Sequence, residues 1–448
     1  MMLLAMQALV CGAQERSVSL QECLDLSRSS NPEVLNAALD VRAAKAQKQE
    51  AAANWFPTVS FSSIGFKAFD PLVRIGLEDV LGNSDAANNI RYYASTAAGL
   101  SGVSTEWSLL SKGFLASLNV SQPLFAGGRI ANGNALAALG MKASGIRNEM
   151  ALRDNDDEVV NKYWTIVSLE EKKKALLQAM ELVRSLEKDV SSAVDAGLAR
   201  ESDLLQVRLK AREVDADMVR LNGGIRLAKM DLFNFIGLEY KVLELDAMHL
   251  SDDMEGLLAP ENYFREMSAL ASSSEESRLL DLSVEAKKLE KKMVLGEGLP
   301  QVGVGASMGY GQVIGDPQPN ALVYAMVKIP ISDWGKTARK LQRSQYEIDK
   351  AENEKAYLGK QLLLKVNKDW VELQSAWEQK LAAEDAVTLA GKVSEQKEAE
   401  YEAGLCTLSE LLESQTGLQT ARSARVDALT AYCNALSAWN KNLAPLAY

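Results

Sequence analysis

The chain builds one long stretch twice. Gln122-Pro123-Leu124-Phe125-Ala126-Gly127-Gly128-Arg129 returns as Ile329-Pro330-Ile331-Ser332-Asp333-Trp334-Gly335-Lys336, which sets Pro123 on Pro330 and Gly128 on Gly335 at an offset of 207. The same offset carries Ala196-Gly197-Leu198 onto Ala403-Gly404-Leu405, and Asp203-Leu204-Leu205 onto Glu410-Leu411-Leu412. Each copy reads as a strand end, a Pro and Gly break, a very long helix, a Gly turn and a return helix. A fold for this chain must therefore contain the same hairpin twice.

Proline confirms the helix lengths. None occurs between Pro123 and Pro260 or between Pro330 and Pro445. Gly128 to Ala196 is open to a helix of roughly 100 Å at 1.5 Å per residue. On the return helix Leu204, Val207, Ala211, Val214, Met218, Leu221, Ile225, Ala228, Leu232 and Phe235 alternate steps of three and four. That is the 3.5-residue repeat of a left-handed coiled coil. Shifted by 207, seven of the ten positions stay apolar.

Ahead of each long helix stand two strands. A helix from about Leu20 to Ala53, with Asn31-Pro32-Glu33 as an N-cap followed by proline, ends at Phe56-Pro57. Strands follow near 58–66 and 113–123, with residues 67–112 between them read as a long Gly-, Ser- and Asn-rich loop of unassigned role. In the second strand Phe114, Ala116, Leu118 and Val120 face one way, and Ser117, Asn119 and Ser121 the other. The second half repeats the order. A helix from Asn262 to Glu297 leads to strands near 299–311 and 321–331 around a turn at Gly315-Asp316-Pro317. Val302, Val304, Ala306, Met308 and Tyr310 alternate there with small or polar residues.

An apolar face over about 9 to 11 residues is what a lipid-facing barrel strand needs. The plainer reading is four edge strands of a soluble α+β domain. Four strands cannot close a barrel in lipid, because open edges leave backbone groups unpaired. A membrane reading thus requires several copies sharing one barrel of at least about eight strands.

Charge and rare residues narrow the function classes. A net charge of −11 without a basic block argues against a nucleic-acid partner. One histidine, His249, and four scattered cysteines (Cys11, Cys23, Cys406 and Cys433) offer no catalytic or metal spacing. No cofactor is expected and no enzyme. Residues 1–13 read as an export signal cleaved after Ala13, although no positive residues precede the apolar run; a short buried helix is the bland reading. Read another way, Cys11 is a lipidation site, which Ala8-Leu9-Val10 fit poorly. The remainder, 14–448, forms one duplicated domain: repeat one about 20–236, a connector about 237–260 containing His249, and repeat two about 261–443. Cys23 and Cys433 fall at similar heights along the helices, and a disulfide between them is not expected.

With these features in place the chain resembles the TolC-like outer-membrane factors, the exit ducts of bacterial efflux and type I secretion systems. The duplicated layout, the Gln122-to-Arg129 segment and the Ala-Gly-Leu turns carry the resemblance, which covers nearly the whole chain from about Leu20. It implies a mainly α fold with some β: a homotrimer whose four strands per copy form a 12-stranded outer-membrane β-barrel in lipid, above a long periplasmic coiled-coil barrel. It makes Pro123, Gly127, Gly128, Pro330 and Gly335 the junction between barrel and tunnel. Ala196, Gly197, Leu198, Ala403, Gly404 and Leu405 become periplasmic tips that meet a membrane-fusion adaptor, with an inner-membrane pump beyond. Glu410 and Glu413 match the family's ring of paired acids, with glutamate in place of aspartate, and would form a selectivity ring. The plain alternatives are ordinary solvated acids near a helix N-terminus and, for the whole chain, a soluble periplasmic coiled-coil scaffold or adaptor.

Overall fold

The computed structural model describes residues 16–69, 73–76, 80–82, 84–101, 106–109, 112–239, 248–250, 256–312 and 317–443. The export signal at 1–13, Cys11, and Gly315 and Asp316 of the expected turn lie outside the described residues. The chain divides into two compact units.

One unit comprises residues 46–139 and 285–349. Its centre is a four-stranded antiparallel sheet in the order β2-β5-β7-β8, with β2 Thr58–Lys67, β5 Lys112–Ala126, β7 Gln301–Gln312 and β8 Gln318–Lys328. The stretch expected as a loop at 67–112 carries its own structure. A helix, α3 (Asp85–Ser101), sits between β3 (Val73–Gly76) and β4 (Glu106–Leu109), and these two strands pair antiparallel. The Gly, Ser and Asn content masks α3 in the sequence, because those residues favour turns while tertiary context decides.

The other unit comprises residues 1–45, 140–284 and 350–448. It holds α1 (Leu20–Ser30) and most of the long helices: α4 (Arg129–Asp195), α5 (Glu201–Phe235), α8 (Lys336–Glu402) and α9 (Leu408–Lys441). The helices α4 and α8 each have 67 residues, and their positions of origin differ by the offset of 207. α2 (Pro32–Ala53) begins at the expected proline, and the Asn31 carboxamide oxygen accepts from the Glu33 N–H at 2.8 Å, as an N-cap should. The connector pairs β1 (Arg16–Val18) with β6 (Met248–Leu250) in parallel, so His249 lies on a strand opposite Ser17.

The single helix expected from Asn262 is broken. A 3₁₀ turn at Pro260–Tyr263 and α6 (Met267–Ser273) precede α7 (Glu275–Glu297). Ser274 makes the break, since its hydroxyl accepts from the Ser277 N–H at 3.2 Å and so caps α7. Serine competes with the helical backbone in this way wherever three occur together.

Three apolar clusters hold this unit together. Val159, Tyr163 and Ile166 of α4 meet Leu232 and Phe233 of α5, Val426 and Leu429 of α9, and Cys23 of α1. Trp370 and Leu373 of α8 pack with Tyr432 and Trp439 of α9. The third cluster joins the two tips. On α5 the core follows Leu204, Val207, Val214, Ile225 and Leu232 of the expected seam. On α9 Val426 and Leu429 are buried where the shifted seam placed Arg425 and Ala428. Leu411, Tyr432 and Trp439 are buried at the positions of Leu204, Ile225 and Leu232, so the two return helices share part of a face and differ between those points. No helix among the described residues is long and apolar enough to cross a membrane, which says nothing of a barrel.

Candidate functional site

Register gives the sheet two unlike faces. Val59 and Phe61 of β2 lie beside Val120 and Leu118 of β5, then Ala306 and Met308 of β7, then Val323 and Ala321 of β8. This apolar face is open: Phe61, Met308 and Val323 are all exposed. The opposite face sets Ser60 and Ser62 beside Asn119 and Ser117, then Ser307 and Gly309. There Asn119 donates to Ser62 and Ser117 at 3.2 Å each and accepts from the Ser307 hydroxyl at 2.7 Å. Tyr324 lies over Gly305, where a Cβ would fall 2.3 Å from the ring. Apart from Lys328 at one end, the strand positions of this face are uncharged among the described residues.

Both outer strands of the sheet pair on one side only among the described residues. Alternation fixes the faces, so period 2 in the sequence was a sufficient signal for them.

The two junctions use the same backbone device with different residues. At Pro123 the β5–β7 register shifts, as expected where proline removes a ladder donor. Gly127 and Gly128 follow with φ of 64° and 79°. Gly127 also touches α7: a Cβ there would lie 2.2 Å from the Gly296 carbonyl oxygen. In the second copy Pro330 lies just past the end of β8, Gly335 has φ 81°, and Trp334 stands at the Gly127 position with φ 54°. A bulky residue in this region is strained. Asp333 holds it in place, its carboxylate accepting from the Gly335 N–H at 3.0 Å and the Thr337 N–H at 2.7 Å.

The tips are also built alike. α4 and α8 end in Schellman motifs. Leu198 N–H reaches Ala193 C=O at 2.8 Å and Leu405 N–H reaches Glu400 C=O at 2.7 Å, around Gly197 (φ 74°) and Gly404 (φ 72°). Ala196 and Ala403 donate to Ser192 and Ala399 one turn earlier. The next residues stand out of the core, Leu198 84% and Leu405 78% exposed. Below them Leu204, Val207, Leu408 and Leu411 bury the two turns in one cluster with Val183, Leu186 and Val190.

Glu410 closes the cap of α9. Its carboxylate accepts from the Thr407 N–H at 3.0 Å, while the Thr407 hydroxyl accepts from the Glu410 N–H at 3.3 Å. The matching Asp203 accepts from the Arg200 N–H at 3.3 Å. Glu413, one turn on, is exposed, and its match in the first copy is the uncharged Gln206. Beside the second tip, Cys406 donates to the Lys397 carbonyl at 3.4 Å, and desolvation pushes its thiol up. A hydrogen bond from Lys397 holds the Glu400 carboxyl low.

A polar knot in mid-α4 carries no motif. Along Arg153-Asp154-Asn155-Asp156-Asp157, successive side chains reach different elements. Arg153 binds Glu275 at 2.7 Å and the Lys441 carbonyl, and Asp154 binds Lys441 at 2.6 Å. Asn155 accepts from Ser27, Asp156 takes Arg28 through two nitrogens, and Asp157 accepts from Ser437 at 2.7 Å. The run of acids in a long helix was the available signal. Cys23 and Cys433 lie in one apolar cluster without a disulfide between them, and burial pushes Cys433 up to about 12. No group of three His, Cys, Asp or Glu poised for a metal occurs among the described residues.

The chain is similar to known proteins in part of its sequence and in its fold. Residues 297–441 match the family model of the outer membrane efflux protein. None of the curated proteins matches the sequence. Among solved structures, the Vibrio cholerae outer membrane protein VceC superposes with a TM-score of 0.73 at 14% identity, over 94% of this chain and 95% of that one. The Campylobacter jejuni outer membrane channel CmeC gives 0.75 at 15% identity, over 94% and 85%. The open-state Neisseria gonorrhoeae MtrE channel gives 0.70 at 14%, over 97% and 92%. Residues 297–441 thus match the outer membrane efflux protein family model, and the chain as a whole has the fold of the outer-membrane channels VceC, CmeC and MtrE.

Proposed function

We propose that the protein is the outer-membrane exit duct of a Gram-negative efflux or type I secretion system, a passive channel that performs no chemistry. The sheet carries this reading: one face is open and apolar along its middle, the other hydrogen-bonded and uncharged apart from Lys328 at its end, and β2 and β8 are unpaired on their outer sides among the described residues. Such a sheet is stable in lipid only if further copies close its edges. Three copies give twelve strands, and the homotrimer would stand with its helical part in the periplasm.

The tip turns at Ala196-Gly197-Leu198 and Ala403-Gly404-Leu405 offer two exposed leucines per copy to a membrane-fusion adaptor, through which an inner-membrane pump supplies cargo. Glu410 and Glu413, repeated around one axis, form a cation-attracting ring at the gate. Glu410 then has two roles, closing the cap of α9 and contributing to the ring.

Planar-bilayer conductance of the purified protein tests the reading. Pores should form, and multivalent cations should block them. Glu410→Gln with Glu413→Gln should weaken that block while leaving the fold intact, because glutamine also serves in a capping box. Block that is unchanged in the double variant removes the ring; absence of pores removes the duct.

A further inference from the structure

The end of β8 and the start of α8 carry, in one run, the groups that an anionic bilayer surface binds. Ile331 is 96% exposed and Trp334 98%. Lys336, Arg339 and Arg343 then fall at i, i+3 and i+7 on one face of α8, all exposed. Lys340, on the adjoining flank, pairs with Glu297 of α7 and holds that carboxyl low, with smaller contributions from Arg129 and Lys336. Asp333 is the one acid in residues 329–343, and both its oxygens are engaged by backbone N–H groups. Four cations against one acid make this run basic in a chain of net charge −11. Cations in the opening turns of a helix also oppose its dipole, so the helix itself does not favour them. At the matching positions the first copy has Gly127, Arg129, Asn132 and Leu136. The feature belongs to one repeat alone.

The order along the chain follows the depth profile of a bilayer. Val323, Ala325 and Val327 lie on the apolar face of β8, the aromatic ring comes next, and the cations last. Tryptophan settles at the interface and exposed lysine or arginine at the headgroups. We propose that Trp334 with Lys336, Arg339 and Arg343 forms an anchor for anionic phospholipid headgroups on the leaflet at this end of the sheet. The proposal rests on the reading of the sheet as part of a membrane barrel. A second copy pairing along β8 cannot repeat the Gly127–α7 approach at this position. Gly127 meets α7 because it has no Cβ, whereas Trp334 stands at the matching place.

The test uses full-length protein in mild detergent, titrated with brominated phosphatidylglycerol or brominated phosphatidylcholine. Subtracting the fluorescence of Trp334→Phe isolates the quenching of Trp334. Phosphatidylglycerol should quench it at about tenfold lower concentration or less, in a salt-sensitive manner. Each exposed cation near an anionic surface is worth about fivefold in association. The Lys336→Gln, Arg339→Gln, Arg343→Gln triple variant should therefore raise the midpoint roughly a hundredfold, whereas Arg339→Lys with Arg343→Lys should preserve it.

Equal quenching by both lipids, or an unmoved midpoint in the triple variant, overturns the proposal. Trp334 shielded from both lipids, with Trp334→Phe loosening the oligomer, assigns the surface to a second copy and also overturns it. Wild-type protein that conducts without preferring the anionic lipid sinks the anchor and leaves the duct standing. Protein that stays soluble without detergent and forms no pores sinks the duct itself.

Discussion

Asp333 and the cysteines show how much a single side chain can decide in so long a molecule. Hydrogen bonds from Thr337, through side chain and backbone, and from the Gly335 N–H hold the Asp333 carboxyl below its ordinary range. A carboxyl lowered in the folded state contributes stability that is complete above its unfolded pKa and is lost as pH falls through the folded value. Asp333→Ala should therefore lower the thermal midpoint at neutral pH, and the difference from wild type should fade in acid below the ordinary aspartate range. Paired melting curves across pH check this. Thiol reactivity should follow burial in the same residue-by-residue way. Cys23 and Cys433 are buried, whereas Cys406 is partly exposed at its tip. A thiol held near 12, as Cys433 is by desolvation, is almost never a thiolate at neutral pH. Maleimide applied to native protein should modify Cys406 well before Cys433 or Cys23, as peptide mass spectrometry would report. Equal rates would mean that the α1–α9 cluster opens readily.

Elements that are twins in sequence need not be twins in tolerance. Gly127→Ala would place a methyl 2.2 Å from the Gly296 carbonyl oxygen, with the next nearest atoms also Gly296 backbone. Its cost combines the left-handed φ with a forced displacement, about 3 kcal/mol or more. Gly335→Ala has the same sign of φ but nothing within 4 Å of the new Cβ, so about 1 kcal/mol is expected. Chemical or thermal unfolding of the two variants should show that gap, and equal losses would remove the close β5–α7 contact from the description. The glycines themselves were legible, because the repeat sets Gly128 on Gly335, Gly197 on Gly404 and proline beside each junction. Strand faces were legible too, since alternation fixes them without tertiary information. What escaped depends on contacts distant in sequence. The knot at 153–157 looks like an ordinary acidic helix run until Arg28, Glu275 and Lys441 arrive from three other elements. α3 was hidden by residues that favour turns, and the break before α7 by serines that read equally well as helix surface. Trp334 in a left-handed conformation follows only from aligning the repeats, because no local rule places tryptophan there.

At the scale of the whole molecule, the two repeats differ where charge matters. The polar face of the sheet is uncharged apart from Lys328 at its end, so a duct lined by it has little means of selecting ions by sign. The second tip differs, with Glu410 and Glu413 where the first has Asp203 and Gln206. Selectivity by charge should therefore be set at the tips, and reversal potentials in a salt gradient can separate the contributions. Wild-type pores should prefer cations. Glu410→Gln with Glu413→Gln should reduce that preference several-fold, because rings of carboxylates set the sign of conduction. Asn119→Asp, added to that double variant, places one carboxylate per copy on the polar face, where Asn119 already accepts from Ser307. It should restore much of the cation preference without restoring block by multivalent cations at the tips. A double variant that keeps its full preference would move selectivity off the tips. An Asn119→Asp addition that changes nothing would mean that the polar face of the sheet does not line the conducting path.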